Sequence, residues 1–184
     1  MSADFIIRLI ADYSVIAVVL IGAWAILFKV KKGGRFEAYS RILMAGLTAY
    51  LIAKFVATIY QPSELRPFEL LGVDPGASYL DNPGFPSDHA LFVTAILCAV
   101  WFETRLKKTT LVLAALVIIV CVGRVLALVH TPFDVMAGVG IALLGALWYS
   151  NVPRTNIENR EIHGHGKSHR RRTNSSRKTV VGES

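Results

Sequence analysis

The chain has 184 residues, of which 53% are hydrophobic, and its mean hydropathy is +0.48. This composition excludes an ordinary soluble protein, and the length fits a single domain. The formal net charge of +7 is concentrated around the first and third connections between apolar stretches and in the C-terminal tail.

Five apolar stretches follow one another along the chain, and each approaches the roughly 17–25 residues that a membrane-spanning helix needs. They cover residues 13–30, 39–60, 87–102, 111–129 and 133–149, of which the third is the shortest. Lipid leaves backbone groups unsatisfied unless each segment closes its own hydrogen bonds, which excludes open sheets. The sequence therefore predicts an all-α integral membrane bundle of about five transmembrane helices, forming one domain over residues 1–150.

The basic segments predict the orientation of these helices, because short loops rich in Lys and Arg stay in the cytoplasm. With five spans, the first connection, the third connection and the tail fall on one side. We therefore expect a multi-pass protein of the plasma (inner) membrane, with the N-terminus outside and the C-terminus in the cytoplasm. We expect the first stretch to be an uncleaved helix rather than a signal peptide, because its main positive flank follows it.

Two segments lie outside the predicted helices. The long connection over residues 61–86 is rich in Pro and Gly and is predicted to cover a site at the outer surface. Part of it could lie in the membrane interface through Phe68, Leu70, Leu71 and Tyr79.

The tail, residues 151–184, lacks apolar periodicity and is predicted to be disordered. Its charge suits anionic headgroups of membrane lipids. No nucleic-acid partner is expected, because no aromatic residues are interleaved with the basic ones.

The first polar cluster, Pro86-Ser87-Asp88-His89, opens the third stretch. Ser87 fits the N-cap position of a helix. The free N–H groups and the dipole of a helix N-terminus suit a phosphate, and His89 in the first turn could protonate a leaving oxygen. The alternative is a plainly capped helix whose histidine reaches the membrane interface.

The second polar cluster runs from Arg124 through His130 to Asp134. Thr131 and Pro132 are suited to be the N-cap and first residue of the last helix, which places Asp134 in its first turn. A carboxylate there can hold one ring nitrogen of His130 and leave the other free to attack. The alternative is an Arg–Asp ion pair that joins two helices, with His130 as a bystander.

Two further cations, Lys54 and Arg66, lie near the outer end of the second stretch and in the outer connection. Both could hold phosphate oxygens, the arginine through a bidentate fork. The alternatives are a lysine that reaches the headgroups and a solvated loop arginine. The orientation predicted from charge brings all of these candidate residues to the outer face.

Taken together, these residues resemble the type-2 phosphatidic acid phosphatase superfamily, which includes membrane lipid-phosphate phosphatases and soluble vanadium haloperoxidases. Its pattern is a Lys with a downstream Arg-Pro, then Pro-Ser-Gly-His, then Ser-Arg, five residues, His, three residues and Asp. The match covers about residues 50–138 and is specific as a set. The segments that begin at Arg66 and Phe85 most resemble undecaprenyl-diphosphatases of the bacitracin-resistance type.

The resemblance implies a mechanism without a metal or another cofactor. His130 would be the nucleophile and form a phosphohistidine, Asp134 would orient it, and His89 would protonate the leaving group and then activate water. The phosphoryl oxygens would be held by Lys54, Arg66, Arg124 and the backbone at Ser87 and Asp88.

Three positions depart from the family pattern. Gly123 stands where a Ser usually precedes the arginine, which removes a hydroxyl donor. Asp88 replaces the common Gly and adds negative charge beside an anion site, where it could bind a cation or position His89. Lys54 is farther from Arg66 than the lysine of the family pattern is from its arginine. In that pattern the lysine would fall near the position of Ile59.

The sequence thus predicts an enzyme that hydrolyses a lipid (di)phosphate at the outer leaflet, with undecaprenyl diphosphate as the expected substrate. A phosphatidate or phosphatidylglycerophosphate phosphatase is the alternative enzyme. A small transporter or channel would instead carry charges at several depths, and a structural anchor for the tail would leave both histidine clusters without a purpose. The sequence does not determine an oligomeric state.

Overall fold

The computed structural model of the protein describes residues 3–62, 65–79 and 84–150. The predicted tail, residues 151–184, lies outside the described residues, so its disorder and its binding to headgroups stay predictions. The secondary structure of the described residues is helical and contains no strand. The prediction of an all-α membrane bundle is confirmed.

Seven α-helices follow one another in the described part of the chain: α1 (Ala3–Arg8), α2 (Ser14–Lys29), α3 (Arg35–Ile59), α4 (Pro67–Leu71), α5 (Asp88–Thr104), α6 (Lys107–Leu126) and α7 (Pro132–Gly145). A π-helical turn, Leu9–Tyr13, joins α1 to α2. Short 3-10 turns precede α3 at Lys32–Gly34 and follow α7 at Ala146–Tyr149.

Four helical segments are long and apolar enough to cross a membrane: Leu9–Lys29, Lys32–Ile59, Lys107–Leu126 and Pro132–Tyr149. They correspond to the first, second, fourth and fifth predicted stretches. The third stretch is α5, whose 17 residues place it at the short end of the usual range of about 17–25. Large apolar side chains such as Phe28, Leu111 and Met136 are exposed, as expected of a surface that faces lipid.

Helix α5 lies at the centre of the bundle and contacts α2, α3, α6 and α7. Small residues let these helices approach closely, as is common inside membranes. A Cβ added at Gly138 of α7 would lie 2.5 Å from the carbonyl oxygen of Ser87, which shows how tightly α7 crosses the start of α5. Gly145 approaches α3 equally closely, since its Cβ would lie 2.5 Å from the carbonyl oxygen of Ala45.

The helix starts that carry the polar clusters are capped as predicted. Ser87 is the N-cap of α5, and its hydroxyl accepts a hydrogen bond from the N–H of Ala90 at 3.5 Å. Thr131 is the N-cap of α7, Pro132 is the first helical residue, and Asp134 completes a capping box with Thr131. Local sequence therefore fixes where both clusters sit on their helices.

The connection over residues 61–86 contains the short helix α4, in which Leu70 and Leu71 are exposed. The expectation that Phe68 also faces the interface is wrong, because its ring is only 6% exposed. Phe68 instead packs beneath the connection, in a small apolar cluster with Ala11, Ala77, Ala127 and Val129. This cluster joins the π-helical turn and the connection over residues 61–86 to the end of α6.

Candidate active site

Five of the predicted site residues line one small cavity at a single end of the bundle. They are Arg66, Asp88, His89, Arg124 and His130, and Gly84 and Pro86 complete the lining. Two imidazoles and two guanidinium groups thus face the same space, although they come from α5, α6 and two connections.

A backbone contact holds the two histidine-bearing segments together. The N–H of Ser87 donates a hydrogen bond to the carbonyl oxygen of Asp134 at 3.0 Å, which joins the first turns of α5 and α7. His89 follows in the first turn of α5, so the helix N-terminus and its imidazole lie at the same cavity. Such an N-terminus is a favourable position for an anion.

His130 is 5% exposed, and Asp134 lies directly behind it. The Nδ1 atom of His130 is 3.8 Å from Oδ2 of Asp134, which is an electrostatic contact but longer than a hydrogen bond. The same Oδ2 accepts a hydrogen bond of 2.7 Å from the N–H of Thr131. The hydrogen bond from Thr131 therefore fixes the carboxylate of Asp134 in place. The carboxylate lies beside Nδ1 of His130, as the sequence predicted.

Arg66 is buried beside the cavity rather than solvated in a loop. Its Nη1 donates to the carbonyl oxygen of Val129 at 2.7 Å, its backbone N–H donates to Oε2 of Glu69 at 2.6 Å, and its guanidinium lies 5.2 Å from the centre of the Tyr79 ring. Burial lowers the pKa of Arg66 and Glu69 opposes that shift, but an arginine remains charged at neutral pH.

Arg124 is only 1% exposed, and its charge is balanced by a residue that the sequence analysis did not select. Its Nη1 donates to Oδ1 of Asp12, on the π-helical turn, at 3.2 Å. Arg124 therefore pairs with Asp12 and not with Asp134, which was the partner in the alternative interpretation of the sequence. The Nε atom of Arg124 is buried without a hydrogen-bond partner among the described residues.

Lys54 and Asp88 form an ion pair at the edge of the cavity. The Nζ atom of Lys54 lies 3.2 Å from Oδ1 and 3.3 Å from Oδ2 of Asp88. Their side chains are 41% and 32% exposed, so the pair is open to solvent or headgroups. The cation that Asp88 contacts in the described structure is Lys54 of the chain itself.

The sequence model of the PAP2 superfamily matches residues 38–158, about two thirds of the chain. The chain belongs to the PAP2 superfamily. A search of curated proteins and a search of solved structures each found no match.

Membership of the PAP2 superfamily indicates a phosphatase that acts on phosphate esters, as the resemblance implied. The cavity has the chemistry for that reaction. Cations can stabilise the charge that develops on phosphoryl oxygens, and the two histidines can act as nucleophile and as acid.

The protonation of His130 suits a nucleophile. Burial is the largest influence and lowers the pKa of His130, the contact with Asp134 opposes this, and the nearby charges of Arg124 and Arg66 lower the pKa again. The net shift is downward, so the imidazole stays neutral to a lower pH than a free histidine does. A neutral ring nitrogen can attack phosphorus, whereas a protonated one cannot.

Asp12 was missed because it lies 112 positions before its partner and outside the region that the PAP2 pattern covers. One signal could have identified it. Asp12 is a carboxylate at the start of a strongly apolar segment, Leu9–Lys29, and ionisable residues in such segments are usually functional or paired.

Proposed function

We propose that the protein is a lipid diphosphatase that works through a phosphohistidine, with the cavity lined by α5, α6 and two connections as its active site. The observation that carries the proposal is the meeting of His89, His130, Arg66 and Arg124 around one cavity at one end of a bundle of apolar helices. A substrate anchored in the membrane can present its phosphate to that position without leaving the lipid.

In the first step, Nε2 of His130 attacks the terminal phosphorus, and the bond from that phosphorus to the bridging oxygen breaks. His89 gives a proton to the departing lipid phosphate, while Arg66 and Arg124 balance the charge on the equatorial oxygens. In the second step, His89 takes a proton from water, the water oxygen attacks the phosphorus of the phosphohistidine, and the bond from that phosphorus to Nε2 of His130 breaks. Inorganic phosphate leaves and both imidazoles return to their starting states.

For the substrate we propose undecaprenyl diphosphate, hydrolysed to undecaprenyl phosphate and phosphate, as the resemblance of the segments around Arg66 and Phe85 to the bacitracin-resistance type suggests. Basic residues at the opposite end of the bundle support an outward-facing site in the plasma membrane. They lie at the end of α2, at the starts of α3 and α6, and in the connections between α2 and α3 and between α5 and α6: Lys29, Lys31, Lys32, Arg35, Arg105, Lys107 and Lys108.

A phosphatidate or phosphatidylglycerophosphate phosphatase is the alternative enzyme, because the cavity contacts only the phosphoryl group in this mechanism. A channel or transporter is disfavoured by the distribution of charge. Within the described helices, the ionisable groups lie near the two ends of the bundle rather than at several depths.

The test is phosphate release by the purified full-length protein in detergent, with undecaprenyl diphosphate, phosphatidate and phosphatidylglycerophosphate compared at equal concentration. We expect undecaprenyl diphosphate to give the highest kcat/KM, and a clear preference for a glycerolipid would favour the alternative. His130→Ala should abolish turnover of every substrate, while His165→Ala in the tail should not. Turnover retained in His130→Ala would remove this histidine from the nucleophile position.

A further inference from the structure

The buried positive charge of Arg124 needs a negative partner, and its own helix, α6, does not supply one. The guanidinium is almost completely buried, and a buried charge without a partner is strongly destabilising. Asp134, the nearest carboxylate by sequence, is committed to the cap of α7 and to His130. Asp12 is the carboxylate that forms an ion pair with Arg124 in the described part of the chain.

The carboxylate of Asp12 makes contacts on two sides. Oδ1 receives the hydrogen bond from Nη1 of Arg124, while Oδ2 accepts hydrogen bonds from the backbone N–H and the hydroxyl of Ser78, each at 3.1 Å. One side chain thus links the end of α6 to the outer connection. Nη1 is occupied by this pairing, whereas the buried Nε has no partner among the described residues.

The chain is built to bring Asp12 to this position. A Cβ added at Gly123 would lie 2.8 Å from Cγ2 of Ile10 and 3.1 Å from both the backbone N and Cα of Ala11. The π-helical turn therefore occupies the space that the usual serine of the PAP2 pattern would need. Such turns are rare and often occur at functional sites.

We infer that Asp12 is a positioning residue, which orients Arg124 toward the phosphoryl group by holding Nη1 from outside the cavity, whose lining does not include Asp12. The inference rests on the proposed function, because it assumes that Arg124 binds that group. It adds an N-terminal element, Leu9–Tyr13, that lies outside the region matched by the PAP2 superfamily. Gly123 lacks the serine hydroxyl of the family pattern, and in this chain the carboxylate of Asp12 compensates by acting through Arg124.

The experiment compares Asp12→Asn, Asp12→Glu and the control Asp74→Asn in the full-length protein. Asp74 is an exposed carboxylate in the same outer connection. Asn keeps the size of the side chain but removes its charge, so we expect kcat to fall by up to about 100-fold, the scale of loss when a reacting group is displaced by about 1 Å. KM should change much less, Glu should recover part of the kcat, and Asp74→Asn should match the wild type.

A double-mutant comparison separates positioning from a general structural role. Binding of orthovanadate, a mimic of the phosphoryl group, is measured by calorimetry on wild type, Asp12→Asn, Arg124→Ala and the double variant. If Asp12 acts through Arg124, the double variant should bind vanadate no more weakly than Arg124→Ala alone. Additive losses would overturn the inference, as would wild-type kcat in Asp12→Asn.

Two controls keep the outcomes distinct. Thermal unfolding in detergent shows whether Asp12→Asn remains folded, and if it does not, Ser78→Ala and the Glu variant test the same contacts with smaller changes. A wild-type protein that neither binds vanadate nor releases phosphate would instead reject the proposed function.

Discussion

The Nζ atom of Lys54 lies 3.2 Å from Oδ1 of Asp88. The lysine therefore neutralises the aspartate that stands where the family pattern has a glycine. Only Asp88 of the two lines the cavity. The pairing gives a physical reason for the unusual spacing between Lys54 and Arg66. A lysine one to two turns deeper in α3 than Ile59 can reach the first turn of α5, where Asp88 lies.

Removing Lys54 should therefore harm phosphate binding indirectly. In Lys54→Met, the uncompensated charge of Asp88 would repel the substrate, and we expect KM to rise several-fold with a smaller change in kcat. The double variant Lys54→Met/Asp88→Asn should recover most of the lost affinity. Steady-state kinetics on undecaprenyl diphosphate measure both. If the double variant is as impaired as Lys54→Met, the lysine must contact the phosphate itself.

The lowered pKa of His130 predicts the acid side of the pH profile. The limb of kcat/KM that reports loss of the neutral nucleophile should lie below the value of about 6.5 that an unperturbed histidine shows. Neutralising Arg66, as in Arg66→Gln, should move that limb upward, because one nearby positive charge is removed. An acid limb at or above the unperturbed value would contradict the burial of a neutral imidazole.

The same shift has a consequence for folding. Since the pKa of His130 is lower in the folded protein than in the unfolded chain, protons bind preferentially to the unfolded state below about 6.5. The contribution of a neutral His130 to stability is complete above that pH and declines as the pH falls toward the folded pKa. Thermal unfolding of wild type and His130→Asn across this range should show a steeper loss in the wild type.

Gly138 is expected to be critical for the distance between the histidine-bearing segments. A Cβ there would meet the backbone of α5, at 2.5 Å from the carbonyl oxygen of Ser87 and 3.1 Å from the N of Leu91. Gly138→Ala should cost about 1–3 kcal/mol of stability, as overpacking does, and should lower kcat more than KM. Gly140→Ala is the matched control, because a Cβ at Gly140 has no neighbour within 4 Å. Equal stability and activity in the two variants would show that α5 and α7 can separate without loss.

Activity should not depend on a metal ion. The mechanism assigns the stabilising charge to Arg66 and Arg124, which chelators do not remove. Phosphate release measured after treatment with EDTA should match that of the untreated enzyme. A loss of activity that added Mg²⁺ restores would require a different mechanism, in which the ion carries part of that charge.

The parts of the site that the sequence predicted are the local ones. Ser87 and Thr131 could be assigned as N-caps because the signal lies within four residues of each helix start. The grouping of the clusters at one end of the bundle followed from hydropathy and loop charge. These features depend on neighbours in sequence, and the described structure agrees with them.

The parts that the sequence did not predict are long-range contacts. The partners Asp12 and Arg124 are separated by 112 positions, and Lys54 and Asp88 by 34. Nothing in either residue's neighbourhood specifies the other, because each pairing depends on how helices that are distant in sequence pack against each other. The burial of Phe68 was missed for the same reason, since it depends on Ala11 and Ala127 from distant segments.

The hydrogen bond from Ser87 to the carbonyl of Asp134 joins the starts of α5 and α7 through their main chains. A helix that is too long for the bilayer around it can respond by tilting. Because the two first turns are tied together, such a tilt would carry both histidines as one unit. The spacing between the nucleophile and the acid is therefore set by the polypeptide and not by the thickness of the lipid around it.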